Sequence, residues 1–214
     1  MKKKFTVSEV RPRIFALKFK RNYDMCMQFL RYQEFYESPN PKFRDSSFEL
    51  ITFMEWYSFS RGQGYFSYTV DWGGFNFPGE IIKKVWKAGI YDRNVYDFEM
   101  KMLYEKFLAK YPDGKFYIIG ACQNAEQTMR HEIAHGFFYT QPEYKKAMTN
   151  LVKNLKKPFF KSMCSSLKKM GYTNRVFVDE CQAYLATGMV PSFTVKVKKE
   201  REPFIKVYNE YFKA

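Results

Sequence analysis

The sequence predicts an α+β fold that is mostly helical and contains one small β-sheet. Apolar residues recur every three or four positions along most of the chain, which is the period of an amphipathic helix. Residues 115–120 instead form a short apolar run with the composition of a buried strand. The 214 residues are 46% hydrophobic, enough to form a substantial core. We therefore expect one domain, or two small lobes, built mainly from helices.

The first 90 residues predict an N-terminal lobe packed against a second region that spans residues 91–214. Met25, Phe29 and Tyr32 lie on one face of a predicted helix, which the Pro-rich segment 38–41 ends. Glycines in residues 71–79 favour a turn, because glycine tolerates the backbone angles that turns require. The elements predicted for this lobe are a strand at 13–20, helices at 22–37 and 48–59, a strand at 65–70, the turn at 71–79 and a helix at 79–88.

The second region predicts helices on both sides of the strand at 115–120. Residues 112–114 read Pro-Asp-Gly, a turn that separates this strand from the helix before it. Gly188 follows a helical pattern and predicts its end. The helices predicted here cover 94–110, a segment from 125 to at least 135, 142–155, 158–170, 178–188 and 202–212.

Both histidines of the chain lie in one motif, His131-Glu132-Ile133-Ala134-His135. On a helix, positions four apart share a face, so the imidazoles of His131 and His135 can reach one metal ion. Zn²⁺ accepts histidine nitrogens and keeps one coordination position open when it is catalytic. Glu132 then lies beside the ion without binding it, where it can take a proton from a zinc-activated water. The motif therefore predicts a catalytic zinc site and makes residues 91–214 the catalytic region.

A third protein ligand is required, and it must be Asp, Glu or Cys because no histidine remains. Glu180, 45 positions after His135, is the favoured candidate. Asp179 is the alternative, and Glu143 is a more distant one. The helix predicted around Glu180 places on one face Glu180, Ala183, Tyr184 and Thr187.

A histidine motif on one helix followed by a glutamate on a later helix resembles the zincin metallopeptidases, in particular the gluzincin group. The resemblance covers about residues 115–191. It implies that His131, His135 and Glu180 bind zinc and that Glu132 is the general base. It also implies that the strand at 115–120 is an edge strand beside the metal helix, where an extended peptide could add to the sheet. Many gluzincins carry an Asp one turn after the ligand Glu, and this chain has Tyr184 there.

The implied activity is hydrolysis of peptide bonds with Zn²⁺ as cofactor. Such a reaction needs a hydrogen-bond donor for the developing oxyanion. Tyr184 is a candidate for that role or for a hydrogen bond to a ligand histidine. Other residues that could donate to the oxyanion are Tyr139, Tyr172 and Arg175.

The formal net charge of +14 predicts an anionic partner, with nucleic acid as one possibility. Lysines cluster after the histidine motif, but no known nucleic-acid-binding motif accompanies them. Two alternatives to a peptidase follow. The chain could be a nucleic-acid-associated protein that uses a zincin scaffold, or a zinc-binding interaction module without catalysis. Glu132 argues against the second, since a structural zinc site needs no adjacent base.

The four cysteines form no CxxC pair, which indicates free thiols in a reducing compartment. Charged residues interrupt the N-terminal segment before an apolar run of signal-peptide length can form. No stretch approaches about 20 apolar residues, the length of a membrane-spanning helix. The sequence therefore predicts a cytoplasmic protein without a membrane span.

Overall fold

The computed structural model describes residues 4–61, 64–89, 94–188 and 198–213. The structure is 63% helical and contains a mixed four-stranded sheet, which confirms the predicted α+β class. The chain divides into two compact units, Met1–Ala125 and Glu126–Ala214. We call them the sheet unit and the helical unit. The predicted lobe boundary near residue 90 lies within the sheet unit.

The sheet unit contains all four described strands and five helices. In the sheet the strands lie in the order β1-β2-β4-β3, with β1–β2 and β3–β4 antiparallel and β2–β4 parallel. The elements in chain order are β1 (Phe5–Arg11), β2 (Ile14–Phe19), α1 (Asn22–Glu37), α2 (Leu50–Ser60), α3 (Tyr68–Asp71), β3 (Gly74–Pro78), α4 (Glu80–Lys87), α5 (Val95–Lys110) and β4 (Tyr117–Cys122).

The strand that was expected to form an open edge is instead in the middle of the sheet. β4 pairs with β2 on one side and with β3 on the other, and its first five residues are buried. Its backbone donors and acceptors are therefore used within the sheet, so the prediction of peptide addition at this strand is wrong. The edges are β1 and β3, neither of which the sequence predicts as a strand.

The segment from residue 65 to residue 79 also differs from the prediction. Residues 68–71 form the short helix α3 rather than a strand, and hydroxyl groups of Ser67 and Tyr57 donate to Asp71 Oδ2 at 2.7 and 2.8 Å. Residues 74–78 form strand β3 rather than a turn, because they pair with β4 from Gly74 opposite Ala121 onwards. A partner distant in sequence therefore overrides the local turn signal.

The core of the sheet unit is aromatic, which is where much of the chain's high aromatic content resides. Helix α1 packs against β3 and β4. A side chain at Gly120 would place a Cβ 2.5 Å from a ring carbon of Phe29, so the glycine permits this close contact. The Phe29 ring lies 5.6 and 5.5 Å from the rings of Phe75 and Phe77. Such offset and tilted ring pairs are the favoured arrangements for aromatic packing.

Charged side chains buried in the sheet unit have partners of their own. Arg31 Nε lies 3.0 Å from Asp97 Oδ1, both side chains being 3% exposed, and its Nη1 donates to the carbonyl of Phe48 at 2.6 Å. Glu34 accepts a hydrogen bond from the Tyr68 hydroxyl at 2.9 Å. Burial raises the pKa of Glu34 to about 7, against the lowering effect of its hydrogen bonds.

The helical unit consists of five described helices arranged around one of them. They are α6 (Glu126–Thr140), α7 (Pro142–Lys153), α8 (Lys157–Met170), α9 (Phe177–Thr187) and α10 (Lys198–Lys213). Helix α9 packs against each of the other four. It ends at Gly188, whose φ of +79° is the left-handed conformation that favours glycine. These helices confirm the predicted ones, with ends that differ by a few residues.

Among the described residues, no helix combines the length and apolar character that crossing a membrane would require.

Candidate metal centre

The packing of α9 against α6 brings three predicted ligands together. His131 and His135 lie one turn apart on α6, and Glu180 lies in the first turn of α9. All three are buried, with 2–4% of their surface exposed. Their ligand atoms lie within 4.8 Å of one another, and they are the one such group of His, Cys, Asp or Glu among the described residues.

The two imidazoles lie at the spacing found around a tetrahedral metal ion, and each is nearest to a different oxygen of Glu180. The two Nε2 atoms of His131 and His135 are 3.2 Å apart. Glu180 Oε1 lies 3.6 Å from Nε2 of His135, and its Oε2 lies 3.8 Å from Nε2 of His131. Zinc with ligands at about 2.0–2.1 Å separates tetrahedral ligand atoms by about 3.3–3.4 Å. With one oxygen of Glu180, the three ligand atoms lie within 4.8 Å of one another, so the side chains would have to move closer together to hold zinc.

Hydrogen bonds from α9 determine which nitrogen each imidazole presents to the centre. Nδ1 of His135 lies 3.0 Å from Asp179 Oδ1, and a carboxylate only accepts, so this nitrogen carries the hydrogen. Nδ1 of His131 lies 3.4 Å from Thr187 Oγ1. The Thr187 hydroxyl donates to the carbonyl of Ala183 at 2.7 Å, which leaves its oxygen to accept. Both imidazoles therefore direct Nε2 toward the centre.

This arrangement contains an unbalanced set of acceptors that a cation would satisfy. With hydrogens on both Nδ1 atoms, the two Nε2 atoms face each other at 3.2 Å, so their lone pairs oppose each other unless a proton or another cation lies between them. Within the part of the chain that the structure describes, the buried Oε2 of Glu180 accepts no hydrogen bond. Buried acceptors without donors are unfavourable and mark sites for an ion. Two imidazoles and a carboxylate are also the ligand set of many catalytic zinc sites, so the residues fit this metal.

The pKa values of the centre show how the metal-free chain balances its charge. Burial and the neighbouring His135 lower the pKa of His131 well below its ordinary value. Burial also opposes a charge on His135, but the carboxylates of Asp179, Glu180 and Glu132 outweigh it and raise its pKa to about 10. A proton on His135 thus replaces the missing positive charge. Burial raises the pKa of Glu180 to about 8, although His135 acts against it.

Glu132 lies beside the ligand group but is not a member of it. It is buried at 4% exposure on α6, directly after the ligand His131. Its negative charge contributes to the raised pKa values of His135, Glu180 and Tyr184, so it belongs to the same electrostatic cluster. This is the position in which a general base next to a metal is expected.

Tyr184 contacts the centre through its ring. The ring lies 4.5 Å from that of His131, tilted by 50°, and its hydroxyl lies 3.4 Å from that of Tyr172. Burial raises the pKa of Tyr184, so the phenol keeps its proton at neutral pH. Of the other proposed oxyanion donors, Arg175 is exposed, and Tyr139 lies one turn beyond His135 on α6.

Two residues hold positions that the sequence does not reveal. Asp179, considered as an alternative ligand, lies at the far nitrogen of His135, whereas Glu143 is exposed at the start of α7. Thr187 is predicted to share a face with Glu180 but receives no role from the motif. The signal that could identify both is their position on α9, one residue before the ligand Glu180 and two turns after it.

Three comparisons with known proteins gave no match: no protein-family model fits the chain, and neither a curated protein nor a solved structure is significantly similar to it.

Proposed function

We propose that the helical unit is a zinc-dependent metallopeptidase that hydrolyses peptide bonds. The observation that carries this proposal is the convergence of His131, His135 and Glu180 on one point next to the buried carboxylate of Glu132. Three protein ligands with one open position are characteristic of a catalytic rather than a structural zinc site. When bound, zinc would supply Lewis acidity that makes water a nucleophile at neutral pH and polarises the scissile carbonyl.

The chain's own residues supply the proton transfers and the donor for the oxyanion. Glu132 accepts a proton from the attacking water and later gives it to the leaving amine. Tyr184, which keeps its proton at neutral pH, is our candidate donor for the developing oxyanion, with Tyr172 orienting its hydroxyl from 3.4 Å. Asp179 and Thr187 hold the imidazoles with Nε2 toward the centre.

The first test is the metal content of the purified chain and of its ligand variants. We expect one zinc per chain in the wild type and a large loss in Glu180→Ala. Glu143→Ala is the matched control, because this exposed glutamate begins α7 outside the ligand group, and it should retain the metal. A wild-type chain that binds no zinc even when zinc is supplied would overturn the proposal.

The second test separates catalysis from metal binding alone. Glu132→Gln keeps the size of the side chain but removes the base, so it should retain zinc and lose cleavage of a mixed peptide library by about 10²–10⁴-fold. Equal cleavage by wild type and variant would exclude Glu132 as the base. If the wild type binds zinc but cleaves no peptide in the library, the result would instead favour the zinc-binding interaction module.

A second candidate function, binding of nucleic acid, is favoured by the distribution of charge on the helical unit. Between Glu143 and Asp179 the sequence contains eight lysines, one arginine and no acidic residue. All eight lysines are exposed on or between α7 and α8. Phosphate contacts by such a surface would make the affinity fall steeply with salt. The lysines are Lys145, Lys146, Lys153, Lys156, Lys157, Lys161, Lys168 and Lys169.

Fluorescence anisotropy of a labelled duplex at 50 and 200 mM salt tests this candidate. Replacing Lys157, Lys161 and Lys168 by Gln should weaken binding and reduce the salt dependence by about three counterions. The control replaces three exposed lysines of α4 in the sheet unit, Lys83, Lys84 and Lys87, and should leave binding unchanged. Equal effects of the two triple variants would show that binding depends on the net charge of the chain and not on the lysines of α7 and α8.

We assign the activity to the cytoplasm, on the support of four cysteines that are all free thiols.

A further inference from the structure

Two polar side chains, Tyr144 of α7 and Gln182 of α9, are fully buried behind the metal centre. Both are 0% exposed. Burying an amide and a hydroxyl is unfavourable unless their hydrogen bonds are made. Here they form a line of contacts that runs from Tyr144 through Gln182 and Asp179 to His135.

The hydrogen bonds of Gln182 fix the direction of its amide. The Tyr144 hydroxyl donates to Gln182 Oε1 at 2.9 Å, so the carbonyl end of the amide faces α7. The nitrogen end then faces the opposite way, where it donates to Asp179 Oδ1 at 2.9 Å and to the backbone carbonyl of Ala134 at 3.3 Å. Reversing the amide would set its carbonyl oxygen against two acceptors, the carboxylate of Asp179 and the backbone carbonyl of Ala134.

The same oxygen of Asp179 receives both Gln182 and the ligand histidine. Oδ1 lies 2.9 Å from Nε2 of Gln182 and 3.0 Å from Nδ1 of His135. The Asp179 side chain is 22% exposed, so without a second donor it could rotate toward water and leave the imidazole. The contact with the carbonyl of Ala134 also ties Gln182 to α6, next to His135.

We infer that Tyr144 and Gln182 are positioning residues that hold Asp179 on His135 and thereby keep Nε2 of this histidine directed at the metal. The inference rests on the proposed zinc site. Neither residue touches the metal or the substrate; they act through Asp179. A fully satisfied buried network of this kind specifies one geometry, because every alternative leaves a polar group without a partner.

The test compares zinc affinity in three variants, measured by competition with a chromophoric chelator. Tyr144→Phe removes only the hydroxyl, and Gln182→Met keeps the length of the side chain but removes both hydrogen-bonding groups. Each should weaken zinc binding by about 10-fold, the lower end of the effect of losing an outer partner of a ligand histidine. The double variant should be no weaker than Gln182→Met, since both changes break the same line of contacts.

Tyr208→Phe is the matched control. Tyr208 is also 0% exposed in the helical unit, and its ring, like that of Tyr144, lies beside Phe137. Its hydroxyl donates to the backbone carbonyl of Arg130 at 3.0 Å rather than to a side chain of the line. Removing this hydroxyl should change zinc affinity by less than about twofold. It should lower thermal stability, as the loss of a buried hydrogen bond does.

Two further readouts separate positioning from folding. The absorption bands of Co²⁺ bound in place of zinc report ligand geometry and should shift in Tyr144→Phe but not in Tyr208→Phe. Circular dichroism of the metal-free variants shows whether each is folded before affinity is compared. If the wild type binds no metal, the proposed function fails. If the wild type binds zinc and Tyr144→Phe matches Tyr208→Phe in affinity and spectrum, the positioning role fails while the metal site stands.

Discussion

The two units bury charged side chains in different ways. In the sheet unit, Arg31 and Asp97 form an ion pair of opposite charges that satisfies both groups. In the helical unit, His131, His135 and Glu180 converge on one point, and a proton on His135 is the positive charge among them. The first arrangement is complete and holds helices together. The second could hold a metal ion at that point, and this difference distinguishes a structural ion pair from a candidate binding site.

The positions of the tryptophans and histidines allow the two clusters to be followed by separate measurements. All three tryptophans, Trp56, Trp72 and Trp86, lie in the sheet unit, and both histidines lie in the helical unit. Tryptophan fluorescence therefore reports unfolding of the sheet unit, and metal affinity reports the helical unit. The following substitutions use these signals in order of decreasing expected effect.

Removing one partner of the structural ion pair should have the largest effect. Arg31→Met leaves Asp97 buried and charged, which should lower the free energy of unfolding by about 3–5 kcal/mol. Urea denaturation followed by tryptophan fluorescence measures it. Lys84→Met breaks an exposed pair with Glu80 and should change the midpoint little. Similar midpoints for the two variants would contradict the contrast between buried and exposed pairs.

Glu34 should make the sheet unit less stable as the pH rises. Its pKa in the folded chain is about 7 against an ordinary value of 4.5, so the folded state holds its proton more tightly. The contribution of this group is full below about pH 4.5 and is lost as the pH rises through 7, by up to about 3 kcal/mol. Glu34→Gln should lack this loss and exceed the wild type in stability at pH 8.

Urea denaturation at pH 5 and pH 8 measures this effect as the difference between wild type and variant. Glu105→Gln, at an exposed position of α5, is the control and should follow the wild type at both values. A Glu34→Gln variant that loses as much stability as the wild type between pH 5 and pH 8 would show that Glu34 does not cause the dependence.

Thr187 should have the smallest effect, and it concerns the metal centre alone. Its contact with His131 is long, at 3.4 Å, and the carbonyl of Ala183 also contributes to the environment of this imidazole. Thr187→Val should therefore weaken zinc binding by only about two- to fivefold, less than one ordinary hydrogen bond to a charged group. Thr187→Ser retains the hydroxyl and should restore the affinity. A serine variant as weak as the valine variant would assign the effect to packing.

The helices longer than α3 could be predicted closely because their signals are local. The predicted helix at 22–37 coincides with α1, since the apolar period of Met25 and Phe29 lies within it and the proline-rich break at 38–41 follows it directly. Strand β3 could not be predicted, because residues 74–78 are extended only through pairing with β4. For the same reason the sequence could not show that β4 is central, since that depends on which strands lie on either side.

In the candidate site, too, the features with a local sequence signal could be predicted and those that depend on helix packing could not. The spacing of His131 and His135 fixes their common face on α6, so the motif alone identifies the two residues that the structure brings together. Glu180 follows from the need for a third ligand and from helical periodicity. The position of Asp179 at the outer nitrogen of His135 depends on how α9 is rotated against α6. No local pattern encodes that rotation, and the sequence therefore left Asp179 as an alternative ligand.

The parallel pairing of β2 with β4 has a consequence for synthesis on the ribosome. The paired residues, such as Ile14 and Tyr117, are about 100 positions apart in the chain. At a synthesis rate of about 5–20 residues per second, β4 is translated roughly 5–20 s after the β1–β2 hairpin. During that interval β2, which is apolar and buried in the finished sheet, has an unpaired edge. We expect nascent chains halted before residue 117 to be captured by chaperones at this hairpin, and chains halted after β4 has emerged from the ribosome to be released.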